Sequence, residues 1–272
     1  EQYMSDLSNT FHVRGLVRIL DEEINAVRRE LLNLEAAGIL KSQKDGNKLV
    51  YKINKKCPIL WELRSMFFKE SAVGKKILEV GIGAGTDFIQ WVRSGTEAYG
   101  IDLTPEAIEH VKMRLNLYGL EAKEIKVGDA ENLDYSDNTF DLVYSFGVIH
   151  HSPDTIKALE EIIRVLKPGG MAKIMVYHRN SLLAYFFWIK HALLKFRPWK
   201  SVAWILWHYM ESLGTKAYSV KEMKQILAKY QLEDVKVVPI YTYYDRLERF
   251  NWFMRKTASC ISAILGRDKV GW

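Results

Sequence analysis

Cysteine is scarce in this chain. Its 272 residues hold two, Cys57 and Cys260, far apart and without the spacing of a metal site. That excludes a disulfide framework and a cysteine-based zinc site, so no metal is expected and a reducing, cytoplasmic setting is. Long apolar runs are missing as well. Even "SLLAYFFWIKHALLKF" (181–196) and "VAWILWHYM" (202–210) stop short of the roughly 18–20 clean residues of a membrane span. Residue 1 is Glu, and no secretory signal is read after it. Internal repeats and low-complexity linkers are absent too.

What is present fits a globular protein with a sizeable core: 48% hydrophobic and 26% charged residues. The length suits two domains, or one large α/β domain with an appendage. The net charge of +6 is uneven, at +2 over residues 1–70, −4 over 71–179 and +8 over 180–272. The basic end is a solvated face or one that meets an anionic surface or substrate.

Three sections follow from patterning. Residues 1–70 read as helices and a hairpin. "VRGLVRIL" (13–20) is helical, and "NAVRRELLNLEAAGIL" (25–40) puts Val27, Leu31, Leu34 and Ala37 on one face, with Gly38 as its stop. "LKSQKDGNKLVYKIN" (40–54) alternates around Asp45-Gly46, a hairpin signal. Residues 71–180 alternate strands (76–80, 97–101, 123–127, 140–145, 171–177) with amphipathic helices. Thr104 is the expected cap of one helix, and "DTIKALEEIIRVL" (154–166) forms another. That order predicts a doubly wound, mostly parallel sheet with ligands at the carboxyl ends of its strands. Residues 180–272 hold six of the eight tryptophans, a capping box at Ser219 and Glu222, and an expected strand at 234–238.

The chemistry starts at "ILEVGIGAGTDF" (77–88). A strand carrying Glu79, then Gly81, Gly83 and Gly85, then a helix, makes a tight turn that lets a ligand reach the backbone. Asp102 ends the next strand, 21 residues after Gly81, where a carboxylate can accept both hydroxyls of a ribose. Asp129 follows the third strand, placed to accept from an adenine amino group. Acids at successive strand ends are more than helix caps require.

This section resembles the class I S-adenosylmethionine-dependent methyltransferases. The resemblance rests on "ILEVGIGAGTDF", "YGIDLTPEAI", "VGDAENLDYSDNTFDLVYSFGVIHH" and "EIIRVLKPGGMAKIMVYH", in that order. It covers about residues 74–180, with the helix-plus-strand ending of that fold at 219–243, and implies a seven-stranded, Rossmann-like sheet in a domain over residues 71–272, with a helical, aromatic-rich insertion expected at 181–216, and S-adenosyl-L-methionine as cofactor. It implies that Glu79, Gly81, Gly83 and Gly85 line the methionine end, that Asp102 holds the ribose beside Leu103, that Asp129 and Ala130 read the adenine, and that Ser145 offers backbone to the methionine amino group. "SFGVIHH" stands where amino-directed DNA methyltransferases carry their Asn/Asp-Pro-Pro-aromatic motif, so a small-molecule acceptor is expected.

Candidate catalytic residues sit at the ends of strands four and five: His150, His151, Tyr177 and His178. A neutral imidazole there could take a proton from an oxygen nucleophile; a thiolate, carbanion or carboxylate needs no base. Phe186, Phe187, Trp188, Trp204 and Trp207 either bury an apolar substrate or pack as a helical cap on their own core. Lys190, Lys195, Arg197 and Lys200 beside them could rest on an anionic membrane.

The front section resembles an arsenic-repressor-like winged helix over roughly residues 10–68, on "EINAVRRELLNLEAAGILKSQKDGNKLVYKIN". The resemblance implies that Asn25, Arg28 and Arg29 on the recognition helix, and Lys44 and Lys48 on the wing, would meet DNA. An excess of +2 is a small footprint for nucleic acid, so dimerisation or a lid is preferred. The competing expectation is a DNA-binding regulator whose methyltransferase fold senses S-adenosylmethionine.

Overall fold

The computed structural model describes residues 10–20, 22–46, 48–54, 72–240 and 256. The chain divides into two compact units, residues 1–75 with 90–96 and residues 76–89 with 97–272. Cys57, Cys260 and the end of the expected 219–243 segment lie outside the described residues.

In the first unit β1 (Thr10–His12) runs into α1 (Val13–Leu20). After α2 (Ile24–Ala36), β2 (Leu40–Asp45) and β3 (Lys48–Ile53) form the expected hairpin. β3 lies between β1 and β2, antiparallel to both. Asp45 pairs with Lys48, and Gly46 takes φ +58°, the left-handed conformation that such a turn needs. Val27 and Leu31, one helical turn apart, bury against Leu40, Tyr51 and Ile53. The Ser42 amide and hydroxyl both donate to Glu35 Oε1, at 2.9 and 2.7 Å, and tie α2 to β2.

The second unit is an α/β fold around a parallel five-stranded sheet. Its strands are β4 (Lys76–Val80), β5 (Glu97–Asp102), β6 (Glu124–Val127), β7 (Phe140–Phe146) and β8 (Leu166–Met175), in the order β6-β5-β4-β7-β8. α3 (Thr86–Arg93), α4 (Pro105–Tyr118) and α5 (Thr155–Val165) connect them. The chain works outward from β4 to β6, then crosses back to β7. Strand order therefore reverses between β4 and β7, which opens a crevice at their carboxyl ends. Leu78, Val80, Tyr99, Ile101 and Val143 from the sheet pack with Ala158, Ile162 and Val165 of α5. β4 and β7 are buried along nearly their whole length, as strands covered on both faces must be.

Two expectations need correction. Five strands stand in this sheet among the described residues where seven were expected, and residues 234–238 form no strand there. The last strand starts at Leu166, earlier than expected. A register shift between Phe140 and Leu142 takes up the "KPGG" segment, and the strand ends at Met175, before Tyr177 and His178. A bulge absorbs extra residues in just this way.

Beyond the sheet, α6 (Leu182–His191), a 3₁₀ turn (Leu193–Lys195), α7 (Val202–Tyr209) and α8 (Val220–Leu227) follow. Ser181, Ser201 and Ser219 cap α6, α7 and α8 through their hydroxyls, and Ser219 with Glu222 completes the expected capping box. Leu182, Leu183, Ala184, Leu206 and Met210 form a second core with Tyr177. No helix among the described residues is long and apolar enough to cross a membrane.

Ile162 is fully buried between α5 and the sheet. Ile162→Ala should lower the unfolding free energy by about 2–5 kcal/mol, read as a fall in the urea midpoint at unchanged slope.

Candidate functional site

β4 delivers the glycine loop to the crevice. The amides of Gly81 and Ile82 both donate to Ile101 O, at 2.9 and 3.1 Å, which folds the loop over β5. Gly81 has φ +81°, and a Cβ there would lie 2.3 Å from Val148 Cγ2. Gly85 has φ +75°, and its Cβ would lie 2.7 Å from Val111 Cγ2. Backbone strain and overlap both demand glycine at these two positions. Gly83, between them, faces open space, with nothing within 4 Å of a built Cβ.

Asp102 fixes that loop from the end of β5. Its Oδ2 accepts the Gly83 amide at 2.9 Å, and its Oδ1 accepts the amide and hydroxyl of Thr104 at 3.0 and 2.8 Å. Thr104 thus holds the N-cap position of α4 without capping it: its hydroxyl is given to Asp102, a correction to the expected cap. Leu103, next in sequence, is largely exposed. Asp129, exposed beyond β6, accepts the Glu131 amide at 2.9 Å, and Ala130 packs on the core. The Asp129 loop is held from below by Arg164, which donates to Leu133 O (2.8 Å) and Tyr135 O (2.7 Å) and pairs with Glu161 and Asp137. Those two carboxylates raise the guanidinium's pKa further.

Glu79 is buried in β4. Ser145 is fully buried in β7 and donates its hydroxyl to Val80 O at 3.1 Å, so its side chain braces β7 to β4. Tyr144 donates to Asp87 at 3.0 Å, and burial raises its pKa strongly.

The loop after β7 closes the other wall. Val148 fills the space over Gly81. The Lys216 amide donates to His150 O at 3.0 Å, which joins this loop to the segment after α7. The His150 ring is fully buried, 4.2 Å from the His151 ring and 3.9 Å from the Tyr177 ring, and neither of its nitrogens has a hydrogen-bond partner. Burial, with His151 adding to it, pushes its pKa down to about 3, so the ring is neutral. His151 is partly open. Its Nδ1 lies 3.2 Å from both Ser212 Oγ and Thr215 Oγ1, and its Nε2 lies 3.4 Å from Glu211 Oε2. The carboxylate favours the tautomer that carries the proton on Nε2, which leaves Nδ1 basic. Hydrogen bonds from His151 and Tyr177 lower the Glu211 pKa despite its partial burial. Glu211 has φ +47°, a region that non-glycine residues rarely enter. His178 is buried, and its backbone forms a bridge with Tyr218.

Of the predicted site residues, the structure brings Gly81, Gly83 and Asp102 together, and separately His150, His151 and Tyr177. Val148 joins the two groups. Glu211, Ser212 and Thr215 escaped sequence reasoning. They lie sixty or more positions from His151, and their local pattern, "ESLGT", reads as a plain loop.

A cavity of about 780 Å³ opens elsewhere, at the amino ends of the strands, beside Lys76, Glu124, Thr139 and Arg164. Arg164 is already committed to its carboxylates and carbonyls, and sheets of this type bind ligands at the opposite edge. We place the site at the carboxyl end.

Residues 78–174 match the methyltransferase domain family. The chain is 39% identical over 109 residues to norajmaline N-methyltransferase of Rauvolfia serpentina, a match over 39% of this chain and 37% of that enzyme. It is 38% identical over 99 residues to phthiotriol/phenolphthiotriol dimycocerosates methyltransferase of Mycobacterium leprae, over 36% of each. The matches thus span little more than a third of the length of these relatives. A chain of the Haloferax volcanii complex between the Trm112 methyltransferase activator and a provisionally assigned methyltransferase shares the fold, with TM-score 0.53 and 19% identity over 76% of this chain and 84% of that one. The matched segment is a methyltransferase domain, and its cofactor is S-adenosylmethionine.

The buried His150 makes stability depend on pH. Unfolded, its imidazole binds a proton below about pH 6.5; folded, it does so only near 3. Its contribution is complete above about pH 6.5 and is lost as pH falls towards 3, at up to about 1.4 kcal/mol per pH unit. In urea unfolding across that window, His150→Leu should flatten the slope by about that amount.

Proposed function

We propose that this methyltransferase-domain chain methylates a small, lipophilic molecule at the crevice between β4 and β7. One observation carries the reading: Val148 seats the histidine loop directly on Gly81, so the glycine loop held by Asp102 and the His151–Glu211 pair share one set of strand ends. S-adenosylmethionine supplies a methyl group carried on a positively charged sulfur.

The chain's own residues then have separate tasks. Asp102 still has lone-pair capacity beside its three donors, which fits a ribose hydroxyl, with Leu103 exposed next to it. Asp129 and Ala130 fit the adenine edge. Glu79 and the bare backbone of Gly81, Gly83 and Gly85 fit the methionine end, where a carboxylate favours positive charge. We assign Ser145 a bracing part through its side chain, with any ligand contact left to its backbone. His151 accepts the proton of an acceptor hydroxyl at Nδ1, directly or through Ser212, while the acceptor oxygen takes the methyl. Glu211 holds the resulting imidazolium, and Tyr177 holds Glu211. His150 and His178 pack and shape the wall. Phe186, Phe187 and Trp188 on α6, with Trp204 and Trp207 on α7, supply apolar surface for the acceptor. The alkaloid and lipid methyltransferases among the relatives support a small, apolar acceptor.

We read residues 1–70 as a winged-helix domain and 71–272 as the methyltransferase domain, with a helical cap over 181–216. The strand, two helices and hairpin of the front unit support the first part. Arg28 and Arg29 on α2 and Lys44 on β2 are exposed, and Lys48 lies on β3. These are the groups that DNA would meet under the regulator reading. We favour a homodimer contact, because ten acids nearly balance the twelve cations of residues 1–70.

Calorimetry with S-adenosylhomocysteine should show binding that Asp102→Asn weakens roughly ten- to a hundredfold. In a screen of phenols, quinols and carboxylic acids with labelled cofactor, Glu211→Gln should keep that affinity but slow methylation of hydroxyl acceptors by on the order of tenfold to a thousandfold. No binding by wild type at millimolar ligand would overturn the reading. Equal turnover by Glu211→Gln would remove the base.

A further inference from the structure

Between α6 and α7 the chain makes a tip that the catalytic reading does not use. Residues 181–210 contain no Asp or Glu, while Lys190, Lys195, Arg197 and Lys200 cluster around the turn. The turn is also apolar: Leu194 is 67% exposed, Phe196 86% and Trp199 74%. Exposed groups of this size, interleaved with cations, mark an interaction surface.

The tip is built, not loose. The Arg197 amide donates to Ala192 O at 2.8 Å, and the Trp188 indole donates to Lys200 O at 2.6 Å. Lys200 Nζ sits 4.0 Å from the centre of the Trp204 ring. Phe196 closes the 3₁₀ turn at φ +54°, ψ +38°, a conformation that bulky side chains avoid. A strained backbone that points an apolar ring into water is better explained by a partner than by the fold.

We propose that this tip docks the enzyme on an anionic lipid bilayer, with Leu194, Phe196 and Trp199 entering the interface and Lys190, Lys195, Arg197 and Lys200 meeting the headgroups. Aromatic rings favour the water–hydrocarbon boundary. An apolar wedge together with a basic cluster supplies the two signals that stable peripheral binding needs. Surface docking also suits a chain with no spanning helix among its described residues. A second copy fits poorly, since a symmetric contact would set four cations against four. Nucleic acid would have use for the cations and aromatic faces but not for Leu194. The proposal rests on the reading of a lipophilic acceptor and names the bilayer as the place it is drawn from.

The test is co-sedimentation of the full chain with vesicles of phosphatidylcholine alone, or mixed with phosphatidylglycerol. Binding should require the anionic lipid and weaken in high salt. Phe196→Ser with Trp199→Ser should lower partitioning by about tenfold or more, and so should Lys195→Glu with Arg197→Glu. Both double variants should keep wild-type affinity for S-adenosylhomocysteine, which shows that they are folded. The proposal is overturned by no vesicle binding, by equal binding of the variants, by preferred binding of single-stranded RNA, or by a wild-type dimer that the apolar double variant loses. Vesicle binding without S-adenosylhomocysteine binding would sink the methyltransferase reading and spare the docking surface.

Discussion

Where Gly81 lacks a side chain, the methyl groups of Val148 take its place. The loop after β4 and the loop after β7 are thereby locked together at the point where strand order reverses. A Cβ at residue 81 would drive the two apart, since well-packed interiors do not yield by more than a few tenths of an ångström without cost. Asp102 then sets the far side of the glycine loop through the Gly83 amide. His151 follows Val148 by three residues, so its position derives from the same contact. The glycine loop and the histidine loop meet at one set of strand ends because one valine packs on one glycine.

The second wall is held electrostatically. Glu211 stands between His151 and Tyr177 and stays ionised because both donate towards it. A carboxylate so placed orients the ring and selects its tautomer. His150 lies beneath, buried and neutral. The unfavourable backbone of Glu211 is a local cost that the surrounding hydrogen bonds offset.

Much of this was legible in the sequence because it is written in short-range terms. "ILEVGIGAGTDF" specifies strand, turn and helix by itself, Asp45-Gly46 specifies a hairpin, and Ser219 with Glu222 specifies a helix start. The illegible parts depend on contacts between distant residues or on rivalry for one donor. Thr104 has the composition of a cap, yet Asp102 two residues earlier takes its hydroxyl. "HH" at 150–151 does not reveal that one ring is sealed in and the other open; that depends on Tyr177 and on the 211–215 turn. Glu211 carries no local signal, and its conformation is one that propensity argues against. The strand expected at 234–238 has the right composition, but no strand forms there among the described residues. Apolar residues permit a strand without supplying its hydrogen-bonding neighbour.

The central claim is that the cofactor lies at the carboxyl end of β4 and not in the cavity at the amino ends. Amide chemical-shift mapping with S-adenosylhomocysteine tests it directly. The account predicts perturbations at Gly81, Gly83, Asp102, Thr104 and the Asp129 loop, with little change at Lys76, Glu124 and Arg164. Perturbations centred on Lys76, Glu124 and Arg164, with the glycine loop silent, would contradict it.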